Sequence, residues 1–120
     1  MTVGDVVEFV ESVPRGKAFP SCTREDIIAL LKEAFEDDGL IVFTSNDTPV
    51  GVLLFRFYEN TKHVWVKNML CHPAFSYNCL KKAFKIYKER FPGCKLTFNR
   101  HERFKSITPS EKFIKTLTGE

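Results

Sequence analysis

The chain has 120 residues, of which 43% are hydrophobic, and carries a formal net charge of +3. That length supports one core and a single domain over residues 1–120, and the apolar fraction, with twelve phenylalanines, excludes a disordered chain. The mildly basic balance permits an anionic partner without requiring one, and no apolar run approaches the length that crosses a bilayer.

The start, MTVGDVVEFVESV, is acidic and amphipathic, unlike a secretory leader with its basic start and continuous apolar stretch. Residues 2–13 place Val3, Val6, Val10 and Val13 at helical spacing, with Thr2 as cap and Asp5 placed to close a capping box. Pro14-Arg15-Gly16 ends this helix, and a loop through Phe19-Pro20-Ser21 leads to a second. There Thr23 caps, Glu25 and Asp26 suit the positive end of the dipole, and Ile27, Ile28, Leu31, Ala34 and Phe35 form an apolar stripe. Asp37-Asp38-Gly39 stops it.

Beyond Gly39 the helical period gives way to alternation. Residues 40–44 read as a strand, 45–48 (SNDT) as a turn and 49–58 as a second strand containing Val50, Val52, Leu54 and Phe57. Residues 59–62 (ENTK) make another turn before a third strand, 63–71, with Val64, Val66 and Met69. Turns this short exclude parallel crossovers, so the three strands form an antiparallel meander. A helix follows with Leu80, Ala83, Phe84, Tyr87 and Phe91 on one face, and Lys81, Lys82, Lys85, Lys88 and Glu89 on most of the rest.

Pro92-Gly93 ends that helix, and residues 95–99 (KLTFN) make a fourth strand, parallel to the third through a right-handed crossover. Thr108 as cap, Pro109 at the first position, Glu111 closing a capping box and Gly119 just past the end mark a short final helix. The fold class is therefore α/β (α+β): N-terminal helices, a meander of three antiparallel strands, a helix, a parallel strand and a short C-terminal helix.

This order resembles the GNAT fold of N-acetyltransferases. Members carry, after their central strand, a stretch like V-x-P-x-[YF]-R-G-x-G-[IL]-G-x-x-L. Cys71-His72-Pro73-Ala74-Phe75 looks like its first half, and Leu80 and Phe84 match its buried helix positions without a gap. The resemblance implies that main-chain amides of the turn would hold the pyrophosphate of acetyl-CoA, with glycines allowing close approach. The departures are pronounced. Ser76 stands at the usual Arg or Gln, Tyr77 at a small residue, and Cys79 and Lys81 at the two key glycines, the last three adding volume beside the anion. Lys81 and Lys82 offer charge in place of close backbone contact. In the last helix, Ile114 occupies the position of a tyrosine that serves the family as general acid.

Other candidates have bland readings. The cysteines Cys22, Cys71, Cys79 and Cys94 form no C-x-x-C pair, which fits reduced thiols in a cytosolic setting. Cys71, His72 and Cys79 match no standard zinc spacing, so no metal site is expected. His72 suits a turn role, and His101, at the end of the fourth strand, a solvated loop. Lys81, Lys82, Lys85, Lys88 and Arg90, followed by Arg100, Arg103 and Lys105, permit a nucleic-acid partner, but a solvated helix face is favoured. Phe55, Phe57, Tyr58 and Trp65 exceed what one core holds, which implies an exposed apolar patch. The fourth strand is expected to be an open sheet edge.

The resulting expectation is a GNAT-like domain with no catalytic residues and no cofactor, acting as a binding or structural protein. Its partner would be a larger structural protein, or a second copy through the aromatic strand surface or open edge, with no membrane involved. Small degenerate GNAT-like proteins occur among virion components of tailed bacteriophages, and the closing EKFIKTLT resembles the last helix of such internal virion proteins. That resemblance implies a virion or host-cytoplasm location. The alternative is an acetyl-CoA-dependent N-acetyltransferase. In it the backbone at Leu70 and Cys71 would align the thioester, and Ser76, Tyr77, Asn78, Cys79, Leu80, Lys81 and Lys82 would hold the phosphates.

Overall fold

In the computed structural model, which describes residues 2–13, 23–100 and 103–107, both N-terminal helices begin with the same device. The Asp5 amide donates to the Thr2 hydroxyl at 3.2 Å and the Thr2 amide to the Asp5 carboxylate at 2.8 Å, opening α1 (Val3–Ser12). Thr23 and Asp26 open α2 (Arg24–Glu36) in the same way. Each box satisfies amides that a helix start otherwise leaves without partners.

The end of α2 follows the expected Asp-Asp-Gly stop with the roles exchanged. Asp38, not Gly39, takes the left-handed conformation, at φ 55°. Gly39 is needed for close approach: its carbonyl accepts from the Phe55 amide at 2.8 Å. A Cβ at this position would lie 1.8 Å from the Phe55 carbonyl oxygen.

Five strands then form one sheet in sequential order. β1 (Leu40–Ser45) and β2 (Thr48–Tyr58) are joined by Asn46 and Asp47, both at positive φ, which is the type I′ geometry suited to a two-residue hairpin. Ser45 and Thr48, expected in the turn, instead form its first cross-strand pair. β3 (His63–Cys71) pairs antiparallel with β2, and the helix α3 (Ser76–Arg90) carries the chain over to β4 (Lys95–Arg100), parallel to β3. The α+β class and the order of these elements agree with the sequence reading.

One expectation is corrected. The polar stretch after residue 99 is not wholly a loop, and β4 is not an edge. β5 (Arg103–Ile107) pairs antiparallel along β4, from Leu96↔Ile107 to Arg100↔Arg103. Pairing satisfies the row of amides and carbonyls that β4 would otherwise expose, and among the described residues β5 is the outermost strand on this side. The loop between the first two helices, Cys22, His101 and the expected final helix after Thr108 lie outside the described residues.

The helices sandwich the sheet. Val7, Val10, Ile27 and Leu31 from α1 and α2 pack with Val52, Leu54 and Leu70 on one face. Cys79, Tyr87 and Phe91 pack with Leu53, Phe55, Val64 and Leu96 on the other. The run Val52-Leu53-Leu54-Phe55 is continuously apolar because alternate residues serve opposite cores.

Of the aromatic residues that seemed too many for one core, Phe55 and Phe57 pack in the core beneath α3. Phe55 and Phe57 both reach Phe91, with ring centroids 5.8 and 4.7 Å away. Tyr58 stacks on His63 at 6.0 Å and carries the Arg56 guanidinium over its ring at 5.1 Å. The most exposed aromatic residues described are on helices: Phe35 at 74% and Tyr77 at 60%. Among the described residues no helix is long and apolar enough to cross a membrane.

Candidate functional site

The turn between β3 and α3 satisfies its own donors. After Cys71 the chain enters a 3₁₀ turn, Pro73–Phe75, that runs directly into α3. Proline suits its first position, where an amide would lack an intrahelical partner. The exposed His72 acts as the cap: its Nδ1 accepts from the Ala74 amide at 3.1 Å. The Phe75 amide donates to the His72 carbonyl at 2.8 Å, and the Ser76 amide donates to the Pro73 carbonyl. Three successive amides therefore have partners inside the turn.

The residues singled out from the sequence do not converge on one point. Leu70 and Cys79 are 4% and 1% exposed, and they belong to the cores on opposite faces of the sheet. Ser76, Tyr77, Asn78, Leu80 and Lys82 are exposed. Lys81 is half-buried, its ammonium 5.5 Å from the centre of the Tyr77 ring.

Cys79 alters the steric argument. Its Sγ donates to the Val50 carbonyl at 3.9 Å, and a Cβ built on Gly51 would meet that sulfur at 2.7 Å. The side chain thus fills space that Gly51 leaves in β2 and adds no bulk outside the turn. Of the residues expected to crowd a phosphate, Tyr77 and Lys81 remain.

Cys71 has the same core as neighbour. Burial, followed by the adjacent Cys79, pushes its thiol up from an ordinary 9.0 to about 12. A thiol so raised stays protonated near neutrality and is a poor nucleophile.

Beside the turn, β3 loses one of its neighbours. The parallel ladder runs from His63↔Lys95 to Val66↔Phe98, and residues 67–71 have no partner in β4. The β2–β3 register shifts at the same point: Leu54 pairs with Asn68 and Phe55 with Val66, which leaves Lys67 as a bulge. A bulge increases local twist and bends the strand, in keeping with β3 leaving β4 there.

The sequence reading missed a second feature. A cavity of about 360 Å³ opens between the sheet and α3. Phe43, Thr44, Ser45 and Val50 line it from the β1–β2 hairpin. Phe75, Asn78, Cys79, Lys81, Lys82 and Lys85 line it from the turn and helix. Among the described residues that line it, none is acidic. The available signal was the i, i+3, i+4 spacing that sets Asn78, Lys81, Lys82 and Lys85 along one side of α3. Nothing in the hairpin sequence indicated that Thr44 and Ser45 would stand opposite.

Among the described residues no three His, Cys, Asp or Glu side chains gather where they could hold a metal ion. Comparison with protein-family models, with curated proteins and with solved structures finds no match to this chain.

Proposed function

We propose that the chain is a non-catalytic GNAT-like binding domain, an assembly or virion component that docks onto a larger structural protein. The observation that carries this reading is the engagement of the Ala74, Phe75 and Ser76 amides by His72 and Pro73. An anion held at a strand-to-helix turn depends on amides that point outward with no other partner. Here the turn itself engages the amides of Ala74, Phe75 and Ser76, and the raised Cys71 thiol supplies no nucleophile.

Exposed apolar side chains offer a means of docking. Tyr77 and Leu80 are 60% and 38% exposed and one helical turn apart on α3. Such residues on a small domain suit the centre of an interface better than contact with water.

The test is an amide NMR titration with millimolar acetyl-CoA. The Leu70, Cys71, Ala74 and Ser76 signals are expected to stay in place; movement of these signals with release of free thiol would overturn the reading. A chain that stays strictly monomeric and binds no structural protein from its source would equally count against docking.

A second reading, an acetyl-CoA-dependent N-acetyltransferase, draws on one observation. Residues 67–71 have no partner in β4, so the main chain at Leu70 and Cys71 has an edge along which a thioester could align. The inward Cys79 also removes one expected obstruction. Catalysis would then rest on positioning.

A further inference from the structure

We infer that the outer edge of β1 receives a second copy of this chain, the two β1 strands pairing antiparallel about a two-fold axis at Val42. The inference goes beyond the docking role and does not rest on it.

The edge is open among the described residues. β1 lies at one end of the sheet with β2 as its strand neighbour, and no turn or loop backbone group bonds to residues 40–45. The Phe55 amide donates to the Gly39 carbonyl at 2.8 Å, and the register then pairs Ile41 with Leu53 and Phe43 with Gly51. Alternation along an antiparallel ladder turns the main-chain groups of Ile41 and Phe43 toward β2. Those of Leu40, Val42 and Thr44 face outward.

β1 also lacks the features that protect native edges, which are charge, proline and bulges. Its sequence, LIVFTS, has no charged residue and no proline. The bulge beside it belongs to β2: Phe43 pairs with Gly51 and Thr44 with Pro49, so Val50 is the extra residue and β1 stays regular. The outermost described strand on the other side, β5, carries Arg103 and Lys105 among five residues.

Symmetry and charge identify the occupant. With Val42 on the axis, Leu40 pairs with the partner's Thr44 and Val42 with the partner's Val42. All outward groups then bond to one another, through about six hydrogen bonds. Leu40 and Val42 pack toward α1 and α2, and Ile41 and Phe43 toward α3, so each face of one sheet meets the same face of the other.

The two ends of β1 carry opposite charge. Glu36 and Asp37, just before it, are exposed and have no ion-pair partner among the described residues. Asp38 beside them reaches Arg90 of α3 at 3.5 Å, which brings this acidic turn to the α3 side. At the far end, Thr44 and Ser45 line a cleft with Lys81, Lys82 and Lys85. Antiparallel pairing lays the acidic start of each strand beside the basic end of the other. Phe35, 74% exposed on the last turn of α2, adds apolar surface near the acidic end. A ladder of six residues makes a small interface, so the dimer is expected to form only as concentration rises.

The experiment is amide hydrogen exchange by NMR, with sedimentation velocity, on the full chain from micromolar to millimolar concentration at low salt. The mass is expected to double with concentration while the Leu40, Val42 and Thr44 amides become protected. Those of Ile41 and Phe43, bonded to β2, should exchange slowly throughout. Lys82→Glu and Asp37→Lys, both at exposed positions, should each weaken the dimer about fivefold, and the double variant should restore most of the loss. Unchanged melting temperatures would check that both fold.

A monomer at every concentration would overturn the inference. If its three outward amides are protected even so, the chain covers its own edge. Protection gained only on adding a structural protein from the source would assign the edge to that protein and also overturn it. So would a dimer that leaves these amides unprotected and shifts Tyr77 and Leu80, which would support docking through α3. A double variant no tighter than the single ones would defeat the antiparallel charge pairing and the inference with it. A monomer that still binds a structural protein leaves the docking reading intact.

Discussion

The two faces of the sheet are built to different ends. On one, α1 and α2 each open with a Thr–Asp capping box and bury aliphatic side chains, including Val10 and Ile27 at 0% exposure. On the other, α3 follows a 3₁₀ turn, and Phe75 provides no side-chain cap hydrogen bond. Its core mixes aromatic rings with thiols and includes a buried hydroxyl, Tyr87, donating to the Cys94 carbonyl. It also leaves a lysine-lined opening at one end. The comparison separates a face whose local features all favour closure from one that combines packing with accessible charge.

The largest expected effect is at the hinge between the layers. Gly39→Ala would set a methyl 1.8 Å from the Phe55 carbonyl oxygen, a backbone atom that cannot rotate away. We expect a loss of about 4 kcal/mol in urea unfolding, or failure to fold, because the strand itself must move. A loss below about 1 kcal/mol would show that α2 and β2 do not approach closely there.

The corresponding change on the α3 face should cost less. Gly51→Ala brings a methyl within 2.7 Å of the Cys79 Sγ, a side-chain atom, and we expect a loss of about 2 kcal/mol. Adding Cys79→Ala should recover part of it, with a coupling of about 1 kcal/mol in a double-mutant cycle. Strict additivity would sink the claim that Gly51 exists to admit Cys79.

These glycines show why some of the architecture was legible in the sequence and some was not. Caps, the two-residue hairpin and the crossover depend on neighbours a few positions apart, so Thr23 with Asp26, or Asn46 with Asp47, announces them. Gly39 reads as a helix stop, but its use is a contact with Phe55 across the sheet. Cys79 aligns with a position expected beside a phosphate, yet lies inward because β2 carries a glycine opposite it. β5 escaped notice because Arg103, Lys105 and Ser106 give five residues with little apolar alternation, and only the presence of β4 makes them a strand. The cleft failed for the same reason: Lys82 and Thr44 are brought together by packing, with no local pattern linking them.

A smaller effect tests the closed face. Thr23→Ala removes the hydroxyl that accepts the Asp26 amide at 3.2 Å, and should cost about 1 kcal/mol in urea unfolding. A neutral result would mean that the packing of Ile27 and Leu31 fixes the start of α2 without its cap.

The smallest effect is one of pH, and it belongs to the α3 face. The Cys71 thiol is pushed up to about 12, first by burial and then by Cys79, and Tyr87 is raised by burial and by Cys94. Each group in the folded chain keeps its proton at pH values where the unfolded chain has begun to release it. Stability from these groups is therefore fully present below the unfolded values of 9.0 and 10.0, and declines as pH rises through the folded ones. We expect the urea midpoint to hold from pH 7 to 8 and to fall progressively above about 9. Cys71→Ala should lower stability by a constant amount while flattening the first part of that decline, because the lost methyl-sized volume does not titrate and the thiol does. Tyr87→Phe should leave the onset near pH 9 and flatten only the steeper part above about 10. An alkaline decline of the same slope in both variants would place its origin elsewhere, and would remove the chemical asymmetry claimed for the two faces of the sheet.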